Sequence, residues 1–344
     1  MYLKKQFIRF FFYSTLTVML ITLLPGLALS QAALDKVIKG AKKEGKLVVY
    51  ASYNYDQGDV LHAAFKKKYP FVEEVEHLNI GGPNVVTRIL MESQSGSPTA
   101  DVGLTGGPFM PSLMKKGFLR EIDWAALGAK PGSFASSYQI TLATVTNCIA
   151  YNTKLVSPAD APKNWEDLLD PKWKGKIGLW RNPAGLTEAA GAWGKERTVN
   201  YLKALMKQDP IVVTGGGDVG TRLAAGEYSV CIIMYDAIFT AQRKGAPVKE
   251  VWPDPVPVER YDACLPKLGK NPNTAILYSL WCGTPEASAL FEKLRGRGNA
   301  FIEGTPIADT LKGKQFGYWP MEKVEERAAV MKELRKIMGY KGRR

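Results

Sequence analysis

The N-terminal third of the chain alternates between short apolar strands and amphipathic helices, and this order constrains the fold more than any other feature. Apolar residues recur at helical spacing in three segments, which begin near Leu34, Val60 and Val85. Three apolar runs with strand character alternate with these helices: Lys46–Tyr50, Val72–Leu78 and Asp101–Leu104. A β-α-β-α order predicts an α/β fold, with a mostly parallel sheet that carries helices on both faces.

The N-terminal segment predicts export. Three basic residues in the first nine positions precede a nearly apolar run from Phe10 to Leu29, and Ala28–Ser30 offers small residues for cleavage. Residues 1–30 are therefore predicted to be a cleaved signal peptide, and the mature protein is expected to be periplasmic. A membrane anchor is the alternative, because about 20 apolar residues also suffice to span a bilayer.

The length and net charge of the mature chain limit the number of lobes and the kinds of partner that we expect. Roughly 314 residues remain after the signal peptide, which is long for one core and predicts two lobes. Cleavage removes three of the 46 basic residues and none of the 33 acidic residues, leaving a net charge of +10. The basic residues are scattered, so we expect a solvated basic surface rather than nucleic-acid binding, with attraction of an anionic solute as the alternative.

Polar residues follow several predicted strands, and ligands of α/β sheets bind beyond the carboxyl ends of strands. A helix start after the strand Ile177–Trp180 also suits an anion, although an ordinary capped helix start fits it equally well. Arg181 is expected to hold a carboxylate or phosphonate and Asp236 an amine or hydroxyl, with capping of the next helix as the alternative for Asp236. The ten predicted contacts are Ser52, Tyr53, Asn54, Thr105, Gly106, Arg181, Asn182, Gly185, Tyr235 and Asp236.

The run from Tyr151 to Ile177, YNTKLVSPADAPKNWEDLLDPKWKGKI, resembles the extracellular solute-binding proteins of ABC importers, in the branch that includes ferric-ion-binding proteins. In that family a Y-N-T-K-L strand end and a W-x-D-L-L-D-P-K-W-K-G-K-I segment belong to the second lobe. The motif N-P-N-x-A at Asn271 also resembles the family.

The resemblance implies a type II periplasmic binding protein, with two α/β lobes joined by a two-stranded hinge. The implied lobes are residues 31–148 with 263–306, and residues 149–262 with 307–344. Such a protein closes on a small solute and delivers it to a permease and ATPase complex in the inner membrane. It is expected to be a monomer that performs no chemistry and needs no cofactor.

The same resemblance indicates which residues of this chain correspond to iron ligands in the related branch. In the iron-binding branch, adjacent tyrosines bind ferric ion, and here Tyr235 matches the first of them while Asp236 replaces the second. Asn54 and Gly106 stand where that branch has a histidine and a glutamate. We therefore predict an anionic or zwitterionic organic solute and no metal. Ferric ion or a ferric chelate, held through Tyr235 and Asp236, is the alternative.

A glycine-rich stretch offers a different class of function. Gly215, Gly217 and Gly220 fit G-x-G-x-x-G after a predicted strand, which would suit an exported nucleotide-dependent enzyme. The motif lies late in the chain and lacks a following βαβ unit, so we predict a turn in which Asp218 caps the next helix.

The cysteines and histidines indicate no metal or catalytic centre. Cys148, Cys231, Cys264 and Cys282 allow three complete disulfide pairings, and Cys148 could pair with Cys264 if hinge strands bring them together. Four buried thiols are the favoured alternative. The chain has two histidines and no C-x-x-C or H-x-x-x-H spacing, so neither a zinc site nor a histidine-based active site is supported.

Overall fold

A computed structural model describes residues 30–339 of the chain. The predicted signal peptide therefore lies outside the described residues, apart from Ser30. Eleven strands occur in the described part: β1 (Lys46–Ala51), β2 (Glu74–Asn79), β3 (Val102–Gly106), β4 (Phe134–Ser136), β5 (Gln139–Asn152), β6 (Ile177–Trp180), β7 (Ile211–Val213), β8 (Val230–Met234), β9 (Val248–Val251), β10 (Val256–Cys264) and β11 (Phe316–Gly317).

Twelve helices accompany these strands within residues 30–339. They are α1 (residues 30–44), α2 (Tyr55–Lys68), α3 (Gly82–Gln94), α4 (Pro111–Lys115), α5 (Ala184–Trp193), α6 (Lys195–Met206), α7 (Gly216–Ala225), α8 (Tyr235–Arg243), α9 (Pro272–Cys282), α10 (Pro285–Arg295), α11 (Pro306–Thr310) and α12 (Val324–Ile337). In the described part of the chain, no helix is long and apolar enough to cross a membrane.

The strands form one connected sheet in the order β2-β1-β3-β10-β5-β8-β6-β7. At one end β1 pairs in parallel with β2 and β3, and at the other end β6 pairs in parallel with β7 and β8. Antiparallel pairing joins the two ends through β10 and β5. The predicted α/β fold is confirmed, because the strand-helix alternation places parallel strands side by side in both ends of the sheet.

Strand β5 belongs to both ends of the sheet. Its residues 139–146 pair with β10, whereas residues 147–151 pair with β8. The change of partner lies close to residue 148, after which the sequence analysis places a lobe boundary. Strand β10 runs beside the first part of β5 and supplies a second connection. The exact lobe boundaries of the sequence analysis stay a prediction.

Each end of the sheet has its own hydrophobic core. One core packs β1 and β3 against α2, α9 and α10, around Phe65 and Trp281, and we call this part lobe 1. Another packs β6 and β8 against α5, α6 and α12, around Trp165 and Leu202, and we call this part lobe 2. Separate cores joined by two strands are the arrangement that permits hinge motion.

The favoured prediction of four buried thiols is confirmed, whereas the possible Cys148–Cys264 pair and the predicted Asp218 cap are wrong. Cys264 lies opposite Gln139 on β5, far along that strand from Cys148, so the two thiols do not meet. All four cysteines are free and buried. Asp218 lies inside the first turn of α7 and does not cap it, because the helix already begins at Gly216.

Candidate functional site

Three of the predicted contacts meet where β1 and β3 end in lobe 1. Ser52 Oγ lies 2.9 Å from the Tyr261 hydroxyl, and Thr105 Oγ1 donates a hydrogen bond of 2.8 Å to the Gly82 carbonyl. A Cβ atom on Gly82 would lie 3.2 Å from Thr105 Oγ1 and 3.8 Å from Ser52 Oγ. These residues therefore form one compact polar edge, and Gly106 follows directly.

Two neighbouring residues take structural roles instead. Tyr53 is 1% exposed and belongs to the core of lobe 1, where its hydroxyl lies 3.4 Å from His62 Nε2. A side chain buried this deeply does not reach a ligand in the cleft, so Tyr53 leaves the candidate site. Asn54 is exposed and caps α2, since its Oδ1 accepts a hydrogen bond from the Gln57 amide at 3.1 Å.

In lobe 2, Asp236 is held by an arginine that the sequence analysis did not single out. Arg297 Nη2 lies 2.5 Å from Asp236 Oδ2, and both side chains are largely buried. Asp236 does not cap a helix, because α8 starts at Tyr235 with Met234 as its N-cap residue. The charge of Asp236 is therefore largely neutralised before any solute binds.

A second arginine connects this pair to lobe 1. Arg295 Nη1 donates a hydrogen bond of 3.0 Å to the Ser52 carbonyl, so it lies at the polar edge described above. Burial lowers the pKa of Arg295, and the neighbouring Arg297 charge lowers it further. Among the described residues, no carboxylate lies within salt-bridge distance of Arg295.

Tyr235 is half-buried at the start of α8. Its ring centroid lies 4.8 Å from that of Trp252, and burial raises the pKa of Tyr235 to about 12, with Glu250 adding to the rise. A raised pKa disfavours the phenolate, which is the form that binds ferric ion. Tyr235 and Asp236 thus remain adjacent in sequence, but each is already engaged by other residues.

The start of α5 supplies the other predicted contacts in lobe 2. Asn182 Oδ1 accepts a hydrogen bond of 3.4 Å from Arg335 Nη2, and a Cβ on Gly185 would lie 3.1 Å from Asn147 Oδ1. Helix α5 has no side-chain cap, so its first amide groups are not satisfied by a capping residue. Arg181 is half-buried just before this helix, and its amide donates to the Val213 carbonyl.

A buried ionic contact links the two lobes at the base of the site. Arg327 on α12 donates from Nε to Glu188 Oε1 at 2.7 Å and from Nη2 to Glu259 Oε2 at 3.1 Å. Glu188 lies on α5 of lobe 2, whereas Glu259 lies on β10 and packs against Gly106. A Cβ at Gly106 would lie 2.4 Å from Glu259 Oε1, so any larger residue there would displace the Glu259 carboxylate from its present position.

A cavity of about 1140 Å³ opens from this contact. Phe109 lines it from lobe 1, Asn182 and Ala184 line it from lobe 2, and Glu259 and Arg327 lie between them. Four further cations line the cavity: Lys203, Lys332, Arg335 and Lys336. We refer to this cavity, together with the polar edge and Arg295, as the cleft. Its cations outnumber its carboxylates, which favours an anionic solute.

The charged residues of the cleft come from distant parts of the chain, and the sequence analysis missed most of them. Arg295 ends α10 and Arg297 follows it, in a short R-G-R-G segment that has the composition of a helix end and a solvated loop. Arg327 lies on α12, whose acidic first turn and basic last turn favour the helix dipole without indicating any distant contact. The signal that distinguishes them is tertiary: each contacts a residue more than 60 positions away in sequence.

The fold and cleft define a class of protein: two α/β lobes joined by paired strands, with a polar cleft between them, as in periplasmic binding proteins. Residues 97–275 match the family "Bacterial extracellular solute-binding protein". The match spans just over half of the chain, and the protein belongs to this family, as the sequence resemblance predicted. Such proteins are the solute-binding components of ABC transporters.

Two relatives extend the comparison in sequence. An uncharacterized protein of Haemophilus influenzae is 26% identical over 302 residues, which cover 81% of this chain and 86% of that protein. The Fe(3+)-binding periplasmic protein of Serratia marcescens is 28% identical over 165 residues, which cover 46% of this chain and 48% of that protein.

Two solved structures show the fold. The Trichodesmium protein IdiA (FutA), in complex with iron and citrate, has a TM-score of 0.71 and 21% identity, covering 86% of this chain and all of that one. The Atu4243-GABA receptor has a TM-score of 0.69 and 19% identity, covering 87% of this chain and 99% of that one. Solved structures of this fold thus include one with iron and citrate ligands and one described as a GABA receptor.

Proposed function

We propose that this protein captures a small anionic or zwitterionic organic solute in the cleft and presents it to an ABC permease and ATPase complex in the inner membrane. The observation that carries the proposal is Arg295. Its guanidinium is largely buried, donates to the Ser52 carbonyl, and has no carboxylate partner among residues 30–339. A guanidinium does not lose its proton in a protein, so a buried one requires a counter-ion.

A carboxylate or phosphonate is the natural counter-ion. Either group accepts two parallel N–H donors from one guanidinium, which gives both strength and orientation. Ser52, whose carbonyl contacts Arg295, carries a hydroxyl that can act as a third donor, and the uncapped start of α5 offers amide groups from lobe 2. Arg181 stays a candidate for a further contact. Asp236 is no longer assigned to a solute amine, because Arg297 already pairs with it.

Closure of the lobes follows from the same contacts. A solute that contacts lobe 1 through Arg295 and lobe 2 through α5 binds the closed form better than the open form, which is the condition for ligand-driven closure. The paired strands β5 and β10 are the connection about which the lobes move.

The test is the melting temperature of the purified protein with a panel of carboxylates, phosphonates, amino acids and ferric chelates. A ligand at 100 times its Kd stabilises the folded state by about 2.7 kcal/mol. Arg295→Gln should weaken binding of the stabilising anion by about 10- to 100-fold, which is the loss expected for charge-assisted hydrogen bonds. Lys293→Gln, at an exposed position two residues earlier, should leave the affinity unchanged. Equal affinity in both variants contradicts the role of Arg295.

A ferric chelate is the second candidate, because a relative and a solved structure of this fold bind ferric ion or iron with citrate. A chelate brings its own oxygen ligands and carboxylates, so it also satisfies Arg295. We expect a visible phenolate-to-iron absorption band in this case, and Tyr235→Phe should abolish it. Stabilisation by ferric citrate without such a band would assign the contact to the chelate alone.

A further inference from the structure

A second cavity lies beside the cleft, on the other side of the Glu259–Arg327 contact. Its volume is about 270 Å³, at the small end of the range for ligand pockets. We propose that this cavity, which we call the amine pocket, binds an ammonium group. The inference extends the proposed function, since the ammonium belongs either to a separate organic cation or to the far end of a zwitterionic solute.

The walls of the amine pocket are acidic. Four carboxylate side chains line it, and the two cations that line it, Arg260 and Arg327, are already engaged. Arg260 donates to the Gly132 carbonyl and to Thr141 Oγ1, and Arg327 holds two carboxylates. The carboxylates are Glu188, Glu259, Asp262 and Glu322. Even with Glu188 mostly protonated at neutral pH, the other carboxylates outnumber the guanidiniums by three to two, which leaves net negative charge that attracts a cation.

A buried acceptor without a donor gives a second and independent indication. Gln139 is 1% exposed and lines the amine pocket. Its Nε2 donates to Asp262 Oδ2 at 2.7 Å, which fixes the orientation of the amide. The Gln139 Oε1 atom is then buried without a hydrogen-bond partner among the described residues. A buried unsatisfied acceptor is costly, and an N–H donor in the cavity would satisfy it.

The aromatic residues of the pocket fit the same ligand. Phe134, Tyr318 and Trp319 line it, and Tyr318 is 39% exposed, so it lies near the surface. Trp319 is fixed by a hydrogen bond of 2.6 Å from its Nε1 to the Thr187 carbonyl. Aromatic rings attract ammonium groups through the negative charge on their faces. Carboxylates, an orphan acceptor and aromatic rings together select a cation over an anion.

The positions of the two cavities explain how one solute would use both. Glu259 and Arg327 line the cleft as well as the amine pocket, so their contact is the partition between a basic and an acidic compartment. A zwitterion whose charges are several bonds apart would place its anion near Arg295 and its ammonium beside Asp262. An α-amino acid, with its two charges close together, fits this separation less well.

Isothermal titration calorimetry of the purified protein distinguishes the two sources of the ammonium group. The probes are n-butylammonium chloride, sodium butyrate and 5-aminopentanoate. Binding of n-butylammonium identifies a separate cation site, whereas binding of 5-aminopentanoate without n-butylammonium identifies the amino end of a zwitterion. Neither ammonium compound binding at millimolar concentration overturns the proposal.

Variants then locate the binding. Tyr318→Ala should weaken the ammonium compound by about 5-fold and Tyr318→Phe should not, because phenylalanine keeps the aromatic face. Glu322→Gln should also weaken it, whereas Glu303→Gln, an exposed glutamate outside the pocket, should have no effect. Unchanged affinity in Tyr318→Ala and Glu322→Gln places the binding elsewhere and overturns the proposal.

The dependence on pH gives a readout that a purely structural role would not show. Burial raises the pKa of Asp262 to about 6 and that of Glu188 to about 8. A bound ammonium favours the ionised form of both carboxyl groups. Binding should therefore release protons, and the affinity should increase as the pH rises from 6 to 8. Affinity that is flat over this range contradicts the proposal. If butyrate still binds through Arg295 in that case, the proposed anion site is retained and only the proposed amine pocket is refuted.

Discussion

Replacing Arg327 with methionine tests the ionic contact at the base of the cleft. The change removes the guanidinium between two carboxylates and keeps a side chain that fills part of its volume. Glu188 is only 2% exposed and has Arg327 Nε 2.7 Å away. Burial raises the pKa of Glu188 above its ordinary value of 4.5, and the Arg327 charge opposes that rise. In the variant the opposition is gone, so the pKa of Glu188 rises further.

The magnitude follows from proton linkage. In the wild type, burial already raises the pKa of Glu188 to about 8, so Glu188 is mostly protonated at pH 7 with or without Arg327. Above pH 8 the wild-type carboxyl group ionises while that of the variant stays protonated, so each pH unit lowers the stability of the variant relative to the wild type by about 1.4 kcal/mol. The contribution of this titration to the difference is therefore close to zero at pH 7 and up to about 1.4 kcal/mol at pH 9. Loss of one partner of a buried ion pair adds roughly 3–5 kcal/mol that does not depend on this titration.

Urea denaturation of the wild type and Arg327→Met at pH 7, 8 and 9 measures this cost. We expect the stability difference to grow by up to about 1.4 kcal/mol from pH 7 to pH 9. Glu188→Gln and Glu188→Gln/Arg327→Met both lack the titrating group, so the difference between these two variants should change much less with pH. Lys115→Met, which breaks an exposed ion pair with Glu325, should change stability little at any pH. A difference between the wild type and Arg327→Met that is the same at pH 7 and pH 9 would refute the reasoning.

Two further outcomes follow from the packing of single residues. Gly191→Ala should destabilise the protein by about 1–3 kcal/mol, because its Cβ would lie 2.1 Å from the Tyr318 carbonyl oxygen. Gly217→Ala, in a helix with no atom within 4 Å of the new Cβ, should instead stabilise it by about 0.5–1 kcal/mol, and thermal melts compare the two. Burial lowers the pKa of His62 to about 3, so the folded state loses stability as the pH falls below 6.5, by about 2.7 kcal/mol at pH 4.5. His62→Asn should lessen this acid sensitivity in urea denaturation, and an unchanged slope would count against it.

The sequence predicted the architecture because the information for it is local. The strand Lys46–Ala51 and the helix that follows it differ in hydrophobic period, and a strand-helix order leaves few topologies other than parallel pairing. The connection between the lobes was predicted from the family resemblance rather than from a local pattern. Strand β5 extends over Gln139–Asn152, but its alternation of threonine with apolar residues does not reveal where its neighbours change.

The sequence correctly predicted only those site residues whose placement follows from the position of the backbone. Ser52 and Thr105 come together because the carboxyl ends of β1 and β3 are adjacent in a parallel sheet. Tyr53 comes one residue after Ser52. Because successive side chains of an extended chain point in opposite directions, the Tyr53 side chain lies in the core, and the sequence alone did not show this. The arginines were missed because a charge near a helix end carries no local sign of its distant partner.

The ionic contacts suggest why an anion and closure belong together in the proposed function. Arg297 neutralises Asp236 and opposes the rise that burial causes in the pKa of Glu259, while Arg327 lies between Glu259 and Glu188, so carboxylates and guanidiniums alternate across the base of the cleft. Arg295 stands outside this series: among the described residues no carboxylate forms a salt bridge with it, and the nearby Asp236 is already paired with Arg297. Bringing the lobes together removes water from Arg295, which is unfavourable until an anion replaces that water. A solute that supplies the anion offsets this cost, which exists only in the closed form. The solute therefore binds the closed form better than the open form, and its binding favours closure.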